Sequence, residues 1–461
     1  VFVELARAIS DDIRRGALRA GDRLPSTRAL ADQIGVSRNT VVAAFAELSS
    51  QGWVVGRGAA GTVVAPEIPE RTARVAAVRG FAARPGYDLR TIVTPPWPGG
   101  PPGVKYRVSI GVPDPRLVPL DVIARAYRRA LRDRRRTALE YTDPRGSQQL
   151  RTAIASLLRH SRGIPVGPAH VLITNGSQQA LDLIARVLIE PGDSVAIEEL
   201  GYRQAWRAFE EAGARLQPVP LDGAGLVVDA LPADLRAVYV TPHHQYPTTV
   251  VMSPARRLAL LATARAHRLA IVEDDYDHEF HFDGRPVAPL AAADPGGNVI
   301  YIGTLSKLLA PGLRIGFVAA SERVIERLAQ LRAITDRQGD QVLEHAIADL
   351  IDDGELQRHT RKARRIYGER REQLVAALAR ELPGVLELAL PPGGITVWAR
   401  ASVDVERWKA RALEHDVAIA TARDFDREAR VRPYVRLAFA RYTASEMTDA
   451  VRRLARALRS P

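Results

Sequence analysis

Val299-Ile300-Tyr301-Ile302-Gly303-Thr304-Leu305-Ser306-Lys307 is an apolar strand pattern that runs into small hydroxyl residues and closes on a lysine. Lysine is rare in this chain. Of 65 Lys and Arg residues, only Lys105, Lys307, Lys362 and Lys409 are lysines. Nearly every other basic position is arginine, so a solvated cation at 307 had no need to be lysine. A residue that must form an imine cannot be arginine, because guanidinium stays protonated whereas a desolvated ammonium loses its proton. Taken alone, Lys307 is also compatible with a chance lysine in a strand-to-helix loop. The surrounding sequence decides between the two.

Upstream lies Leu269-Ala270-Ile271-Val272-Glu273-Asp274-Asp275-Tyr276, a short apolar strand ending in acids. An acid at the C-terminal end of a strand points into the crevice where open α/β sheets bind ligands. Arg314, in Leu309-Ala310-Pro311-Gly312-Leu313-Arg314, follows Lys307 closely and suits a phosphate. Val171-Leu172-Ile173-Thr174-Asn175-Gly176-Ser177-Gln178-Gln179-Ala180 reads as a strand, a Gly-Ser turn and a helix with Leu181, Ile184, Ala185 and Leu188 on one face. The backbone N–H groups at such a helix start form an anion site. A lysine, a strand-end carboxylate and a phosphate cradle are what pyridoxal phosphate requires. In that scheme Asp274 keeps the pyridine nitrogen protonated and Tyr276 bonds the phenolic oxygen. Strand-end acids and Gly-Ser turns each occur in any α/β protein; their joint order is what is specific.

Residues 106–461 resemble a fold-type I, aminotransferase-like pyridoxal phosphate domain. The matching segments are Tyr141-Thr142-Asp143-Pro144-Arg145-Gly146, Thr174-Asn175-Gly176-Ser177-Gln178-Gln179, Thr241-Pro242-His243-His244-Gln245-Tyr246-Pro247, Glu273-Asp274-Asp275-Tyr276-Asp277 and Thr304-Leu305-Ser306-Lys307. The resemblance implies that Lys307 is the internal aldimine lysine, Asp274 the partner of the ring nitrogen and Tyr276 that of the phenolic oxygen. It implies that Ser177, Gln178, Thr304 and Arg314 hold the phosphate and that Tyr202 stacks on the ring. Tyr141 would reach the phosphate of a neighbouring subunit, and Arg436 would grip an amino acid's carboxylate. The family's Pro-x-Gly turn is here Pro247-Thr248-Thr249, which bears on a glycine-dependent conformation at 249.

Residues 1–66 follow another pattern. Phe2, Leu5, Ile9 and Ile13 repeat at helical spacing, and Gly16 with Leu18-Arg19-Ala20-Gly21-Asp22 ends that helix. Pro25-Ser26 opens a second helix carrying Leu30 and Ile34, with Ser26 as N-cap; Gly35-Val36 turns, and Ser37 caps a third helix burying Val41, Ala44, Phe45 and Leu48. This is a helix-turn-helix layout, with Arg38, Asn39 and Thr40 on the turn that meets base edges. Trp53-Val54-Val55, a turn from Gly56 to Gly61 and Thr62-Val63-Val64 read as a hairpin wing. Charge does not help: of the net +12, residues 1–65 carry about +2 (8 Arg against 6 acids), so no local basic footprint marks DNA binding. Arg23-Leu24-Pro25-Ser26-Thr27-Arg28-Ala29-Leu30-Ala31 and Ile34-Gly35-Val36-Ser37-Arg38-Asn39-Thr40-Val41 nevertheless resemble GntR-type winged helix-turn-helix domains. That resemblance places Arg28, Arg38 and Thr40 at the DNA, with Ser37 and Asn39 of the same helix start as further candidates, and Gly61 in the minor-groove wing, where the family's second glycine is here Ala59.

The two resemblances together are those of the MocR-type subgroup of bacterial regulators. The expected organisation is a reader domain over 1–66, a linker over 67–105 and an effector domain over 106–461. The fold class is α/β: a winged helix-turn-helix followed by a mainly parallel sheet with helices on both faces and a smaller C-terminal α+β subdomain. In the linker, Pro95-Pro96-Trp97-Pro98-Gly99-Gly100-Pro101-Pro102-Gly103 favours extended or flexible chain, and Arg71, Arg74, Arg79, Arg84 and Arg90 are read as solvated, with a supporting contact to DNA phosphates as the alternative. Trp97 is read as a hydrophobic anchor.

The implied function is a pyridoxal 5'-phosphate-dependent transcription regulator. It would bind double-stranded operator DNA as a homodimer and sense a small amine, an amino acid or pyridoxal phosphate itself. The alternative is an active transaminase with an appended DNA-binding domain; transaminase turnover is expected to be vestigial. The chain has no cysteine, which excludes disulfides, thiolate metal sites and cysteine nucleophiles. No apolar run spans a membrane and no signal-peptide pattern opens the chain, so a cytoplasmic protein is expected. The chain starts at Val1 rather than Met, and a few residues are expected ahead of the first helix. No metal is expected: His278 and His281, with Glu279 and Asp283, are ligand types, but in a loop with no cysteine partner. For His243-His244 a contact with the cofactor's ring edge and ordinary loop hydrogen bonding stand open. Asp275 and Asp277 either tune Tyr276 or cap the loop.

Overall fold

The computed structural model describes residues 1–58, 61–68, 84–92, 100–133, 137–284 and 286–459. Ala59, Arg71, Arg74, Arg79, Trp97 and the stretch 95–99, all named above, lie outside the described residues. The chain forms two compact units, Val1–Ile92 and Val93–Pro461.

In the first unit, helices α1 (Phe2–Arg14), α2 (Thr27–Ile34) and α3 (Arg38–Ser50) precede strands β1 (Val54–Gly56) and β2 (Thr62–Val64). Both expected caps form. Ser26 Oγ accepts from the Ala29 N–H and Ser37 Oγ from the Thr40 N–H, each at 3.2 Å, so each serine satisfies a donor that the first helical turn leaves free. Gly35 ends α2 at φ 68°, in the left-handed region that glycine enters without a Cβ penalty. Val41, Ala44, Phe45 and Leu48 are buried against Ile9, Ile13 and Trp53. Phe2 and Ile34 share the helical period but stand at helix termini and are exposed. The hairpin is antiparallel, pairing Val54 with Val64 and Gly56 with Thr62.

The second unit is built on a seven-stranded sheet of β3 (Val171–Thr174), β4 (Ser194–Glu198), β5 (Arg215–Val219), β6 (Leu235–Val240), β7 (Ala270–Asp275), β8 (Val299–Thr304) and β9 (Gly316–Ala319). Its spatial order is β3-β9-β8-β7-β6-β4-β5. Strands β4 to β8 pair in parallel, whereas β9 runs antiparallel to both β8 and β3. The central strands are buried along both faces, which is why they read as continuous apolar runs rather than alternating ones. Helix α4 (Ser177–Leu188) follows β3, and α5 (Pro254–His267) precedes β7. A second, antiparallel sheet is formed by Leu386–Leu388, Thr396–Ala401, Tyr434–Ala438 and Ala420–Thr421, in that spatial order. Helices Glu355–Glu381, Val405–Glu414 and Ala444–Arg459 accompany it, giving the expected C-terminal α+β part. The effector domain opens with Tyr106–Arg107 pairing in parallel with Val417–Ala418, and Lys105, the last residue of the expected linker, places its Nζ 3.2 Å from Asp449.

Because β9 reverses direction, its first residues lie at the same edge of the sheet as the last residues of β3, β6, β7 and β8. That edge carries the site.

Candidate functional site

Lys307 follows the end of β8 and is half-buried, with its Nζ donating to the Gly111 carbonyl at 2.7 Å. Burial, and then the nearby Arg436 guanidinium, bring its amine down to about 8, although Asp277 and Asp274 pull the other way. No other lysine shares this environment. Lys105 pairs with Asp449, Lys409 with Asp424, and Lys362 is exposed.

Asp274, on β7 beside β8, is 4 % exposed. Its Oδ2 accepts from the Tyr239 hydroxyl at 2.8 Å, while Oδ1 is buried without a partner. Burial pushes this carboxyl up to about 7, against the hydrogen bond from Tyr239. Tyr239 was not foreseen. It lies on β6, and only the strand order shows that it faces Asp274. Glu198, at the end of β4, also escaped the sequence reading; it is buried, accepts from Thr241 Oγ1 at 2.7 Å and from Gln245 Nε2 at 3.1 Å, and is raised to about 7 by burial.

The phosphate elements converge. A Cβ on Gly176 would lie 2.8 Å from Arg314 Nη2, and one on Gly316 would lie 2.8 Å from the Gly176 carbonyl carbon and 3.0 Å from Ser177 N. Glycine at 176 and 316 therefore lets the start of α4, the start of β9 and Arg314 crowd together. Arg314 also donates to the Asn175 carbonyl at 2.7 Å. Tyr202 places its hydroxyl 3.5 Å from Gln178 Oε1, and Gln178 donates to the Gln204 carbonyl. Thr304 Oγ1 donates to Ser306 Oγ at 3.0 Å, which adds Ser306 to the hydroxyl group ahead of Lys307.

Pyridoxal 5'-phosphate fits these residues. The unpartnered Asp274 oxygen suits a protonated ring nitrogen, the amine of Lys307 loses its proton far more readily than an ordinary lysine, and the Ser177–Arg314 corner suits a dianion. Three expected residues need comment. Tyr276 donates its hydroxyl to the His244 carbonyl at 2.9 Å rather than standing free. Tyr141 is 79 % exposed with the Arg337 guanidinium 4.7 Å from its ring centroid, so this chain does not bring it to its own Lys307. Arg436 is 3 % exposed, donates to the Ser109 carbonyl at 3.2 Å and lies 4.5 Å over the ring of Tyr246, with its Nε unpartnered.

The turn at 247–249 keeps a left-handed conformation despite lacking glycine. Thr249 has φ 63° and is buried, with its N–H donating to the Gln245 carbonyl at 2.6 Å. The two acids flanking Tyr276 bind histidines instead of capping the loop. Asp275 is bonded by His278 Nδ1 at 2.8 Å and by the Tyr301 hydroxyl at 2.7 Å, and Asp277 by His244 Nδ1 at 2.8 Å. Glu279 and Asp283 pair with Arg162 and Arg371.

In the first unit, Arg28, Ser37, Arg38 and Asn39 are exposed, and Thr40 is half-buried with its hydroxyl 2.9 Å from that of Ser37. Neither Arg28 nor Arg38 is in an ion pair among the described residues. Gly61 has φ 85° in the turn of the hairpin. Among the described residues no helix is long and apolar enough to cross a membrane.

Comparison with known proteins agrees with both units. The family described as aminotransferase class I and II matches residues 108–454, and that described as bacterial regulatory proteins, gntR family, matches residues 3–64. The chain is 35 % identical to the probable rhizopine catabolism regulatory protein MocR of Rhizobium meliloti, over 90 % of this chain and 83 % of that protein. It is 33 % identical to the HTH-type transcriptional regulator TauR of Rhodobacter capsulatus, over 99 % of this chain and 96 % of the other. Among solved structures, the α-aminoadipate aminotransferase LysN of Thermus thermophilus, complexed with N-(5'-phosphopyridoxyl)-L-leucine, superposes with a TM-score of 0.70 at 32 % identity. That match covers 76 % of this chain and 91 % of the other.

Proposed function

This chain belongs to the MocR-type regulators of the gntR family, and from that membership we propose that it is a pyridoxal 5'-phosphate-dependent repressor or activator whose aminotransferase-like unit reads a small amine or amino acid. The observation that carries the reading is the joint presence, in one chain, of a helix N-terminus offering an exposed Arg38, in no ion pair among the described residues, and a crevice where half-buried Lys307, in no ion pair there, stands near an Asp274 oxygen without a partner. When bound, the cofactor supplies an aldehyde and an electron-withdrawing pyridine ring. The residues of the chain then have separate tasks. Lys307 would offer an amine whose lowered proton affinity eases attachment. Asp274, held by Tyr239, keeps a negative charge at the ring nitrogen once a proton sits there. Ser177, Gln178, Thr304 and Arg314 hold the phosphate with backbone and side-chain donors.

Arg436 is the candidate for an effector carboxylate, since its guanidinium suits a bidentate anion and retains an unused Nε–H. Tyr246 packs over that guanidinium, so an entering carboxylate has to share the arginine with the ring. Lys307 would hold the cofactor in the resting protein, and an effector's amine would compete with it for the same aldehyde. The reader binds double-stranded operator DNA as a homodimer, with Arg28, Ser37, Arg38, Asn39 and Thr40 at the groove and Gly61 in the wing. Exposed Tyr141 is available to the second copy's phosphate. Linkage makes the coupling reciprocal: a ligand that changes operator affinity binds the DNA-bound protein with a correspondingly changed affinity.

The test is to titrate amines and amino acids into the cofactor-loaded chain while following the cofactor's visible spectrum and operator affinity together. A ligand that displaces Lys307 yet leaves operator affinity and transcription unchanged refutes the coupling for that ligand. Sustained keto-acid production at enzyme-like rates from an amino donor and a 2-oxo acid refutes the regulator reading in favour of a transaminase.

A further inference from the structure

Four histidines that the sequence separates into two pairs form one buried cluster. His243 and His244 leave the end of β6, and His278 and His281 follow β7; all four are at most 9 % exposed. Because β6 and β7 are adjacent and parallel, both loops emerge at the same edge of the sheet. The ring of His243 stacks on that of His278 at 4.4 Å and meets that of His244 at 4.4 Å, while the rings of His244 and His281 are nearly parallel at 6.2 Å.

The unusual property of the cluster is its unused nitrogens. Both ring nitrogens of His243 and Nε2 of His244 are buried without a hydrogen-bond partner, and the His281 ring, at the edge of the cluster, is approached by the Asp283 backbone. Buried imidazole nitrogens are ordinarily satisfied, so such a group calls for an explanation. Ligand atoms of His243, His244 and His281 lie within 4.8 Å of one another. Around a tetrahedral zinc with Zn–N distances of about 2.0–2.1 Å, neighbouring nitrogens are roughly 3.4 Å apart, so each ring has to move by less than about 1 Å. His244 is further prepared for this role. Asp277 holds its Nδ1 at 2.8 Å, which orients the ring and leaves Nε2 as the ligand atom, the arrangement in which a carboxylate supports a metal-bound histidine. Gly393 packs closely beside that ring, where a Cβ would lie 2.6 Å from His244 Nε2, so only glycine leaves the nitrogen unobstructed by a side chain at this position.

We propose that His243, His244 and His281 form a binding site for a divalent transition metal of the zinc class, with Asp277 as the positioning residue and a fourth position open to water. Three neutral nitrogen donors and no thiolate favour zinc, nickel or copper over magnesium or calcium, which prefer oxygen. A second group, His243, Asp275 and His278, shares His243 with the first. There Asp275 already accepts from His278 and Tyr301, so the three-histidine set is the more available one. The ion would tie the loop after β6 to the loop after β7. Its reach extends to the crevice of Lys307, because the His244 carbonyl accepts from Tyr276 and Asp277 acts on the Lys307 amine.

The experiment uses the full chain without a histidine tag, stripped with chelator and titrated with zinc chloride by calorimetry, with metal content measured after dialysis. One zinc per chain is expected. His281→Ala and His244→Ala should weaken binding at least tenfold, and Asp277→Asn by about 10–100-fold. His267→Ala, on an exposed helix end, should leave it unchanged. X-ray absorption of the zinc-loaded wild-type chain should show three imidazole nitrogens and a light fourth ligand, a readout that does not depend on any variant folding. Absence of zinc binding to the wild-type chain, or stoichiometric binding that survives the His244→Ala/His281→Ala double change, overturns the proposal. So does a zinc environment with fewer than two imidazoles.

Discussion

The environment of Lys307 can be tested through its reactivity. Burial and Arg436 lower the amine from its ordinary 10.5 to about 8. At pH 7 an amine titrating near 8 is neutral in about one molecule in eleven, whereas one titrating at 10.5 is neutral in roughly one in three thousand. The unprotonated fraction at Lys307 therefore exceeds that of an ordinary lysine by about 300-fold at pH 7. The small number of lysines makes the measurement direct. Trace acylation of the cofactor-free chain between pH 6 and 11, followed by peptide mass spectrometry, reports all four side chains at once. The other three serve as internal standards, and Lys105 is shifted the opposite way, upward, by its bonds with Tyr106 and Asp449. The rate at Lys307 should rise to a plateau with a midpoint near 8. Arg436→Met removes the second cause and should move that midpoint upward. A midpoint at 10 or above in the wild-type chain would refute the placement of Lys307 in a desolvated, positively charged crevice. A midpoint that Arg436→Met leaves untouched would refute the contribution of the arginine.

Further outcomes follow from other parts of the molecule. Asp274→Ala should weaken cofactor binding and alter the spectrum of the bound cofactor, because the ring nitrogen loses its anion; an unchanged affinity and spectrum would assign that nitrogen to another acid. Arg38→Ala should reduce operator affinity more than tenfold in a gel-shift or anisotropy assay, since one good base contact contributes about 1–3 kcal/mol of discrimination. Full-strength binding would remove α3 from the role of reader. Thr249→Gly should raise stability by about 0.5–1 kcal/mol in denaturant unfolding, as relief of a left-handed β-branched residue outweighs the added freedom of the unfolded chain. A clear loss would show that the Thr249 side chain contributes more than its backbone conformation costs.

What could be read from the sequence was what is local in the chain. The caps at Ser26 and Ser37 act on N–H groups three residues away, and the strand end that carries Asp274 and the loop that carries Lys307 each follow from a single contiguous pattern. The partners of these residues could not be read in that way. Tyr239 reaches Asp274, and His243 meets His278, only because β6 lies beside β7, which no local period encodes. Considered apart, His278 and His281 lacked further ligands, and His243-His244 had no reason to be joined to them. Tyr246 gave no signal either; its contact with Arg436 depends on the second sheet being brought to the edge of the first.

The reversed strand β9 bears on how this protein reaches its native state. The corner formed by Gly176, Ser177 and Arg314 exists only after Thr174 has paired with Gly316, a contact between distant parts of the chain. Contacts of that separation form slowly, because a long loop must close before any pairing compensates for its entropy. On that ground the corner of Gly176, Ser177 and Arg314 is expected to form late in folding, after the local β-α units. A ligand that recognises it binds only completed molecules and draws the population toward them by mass action. On the proposed reading, cofactor supplied during synthesis should raise the yield of folded protein, which expression with and without it would measure.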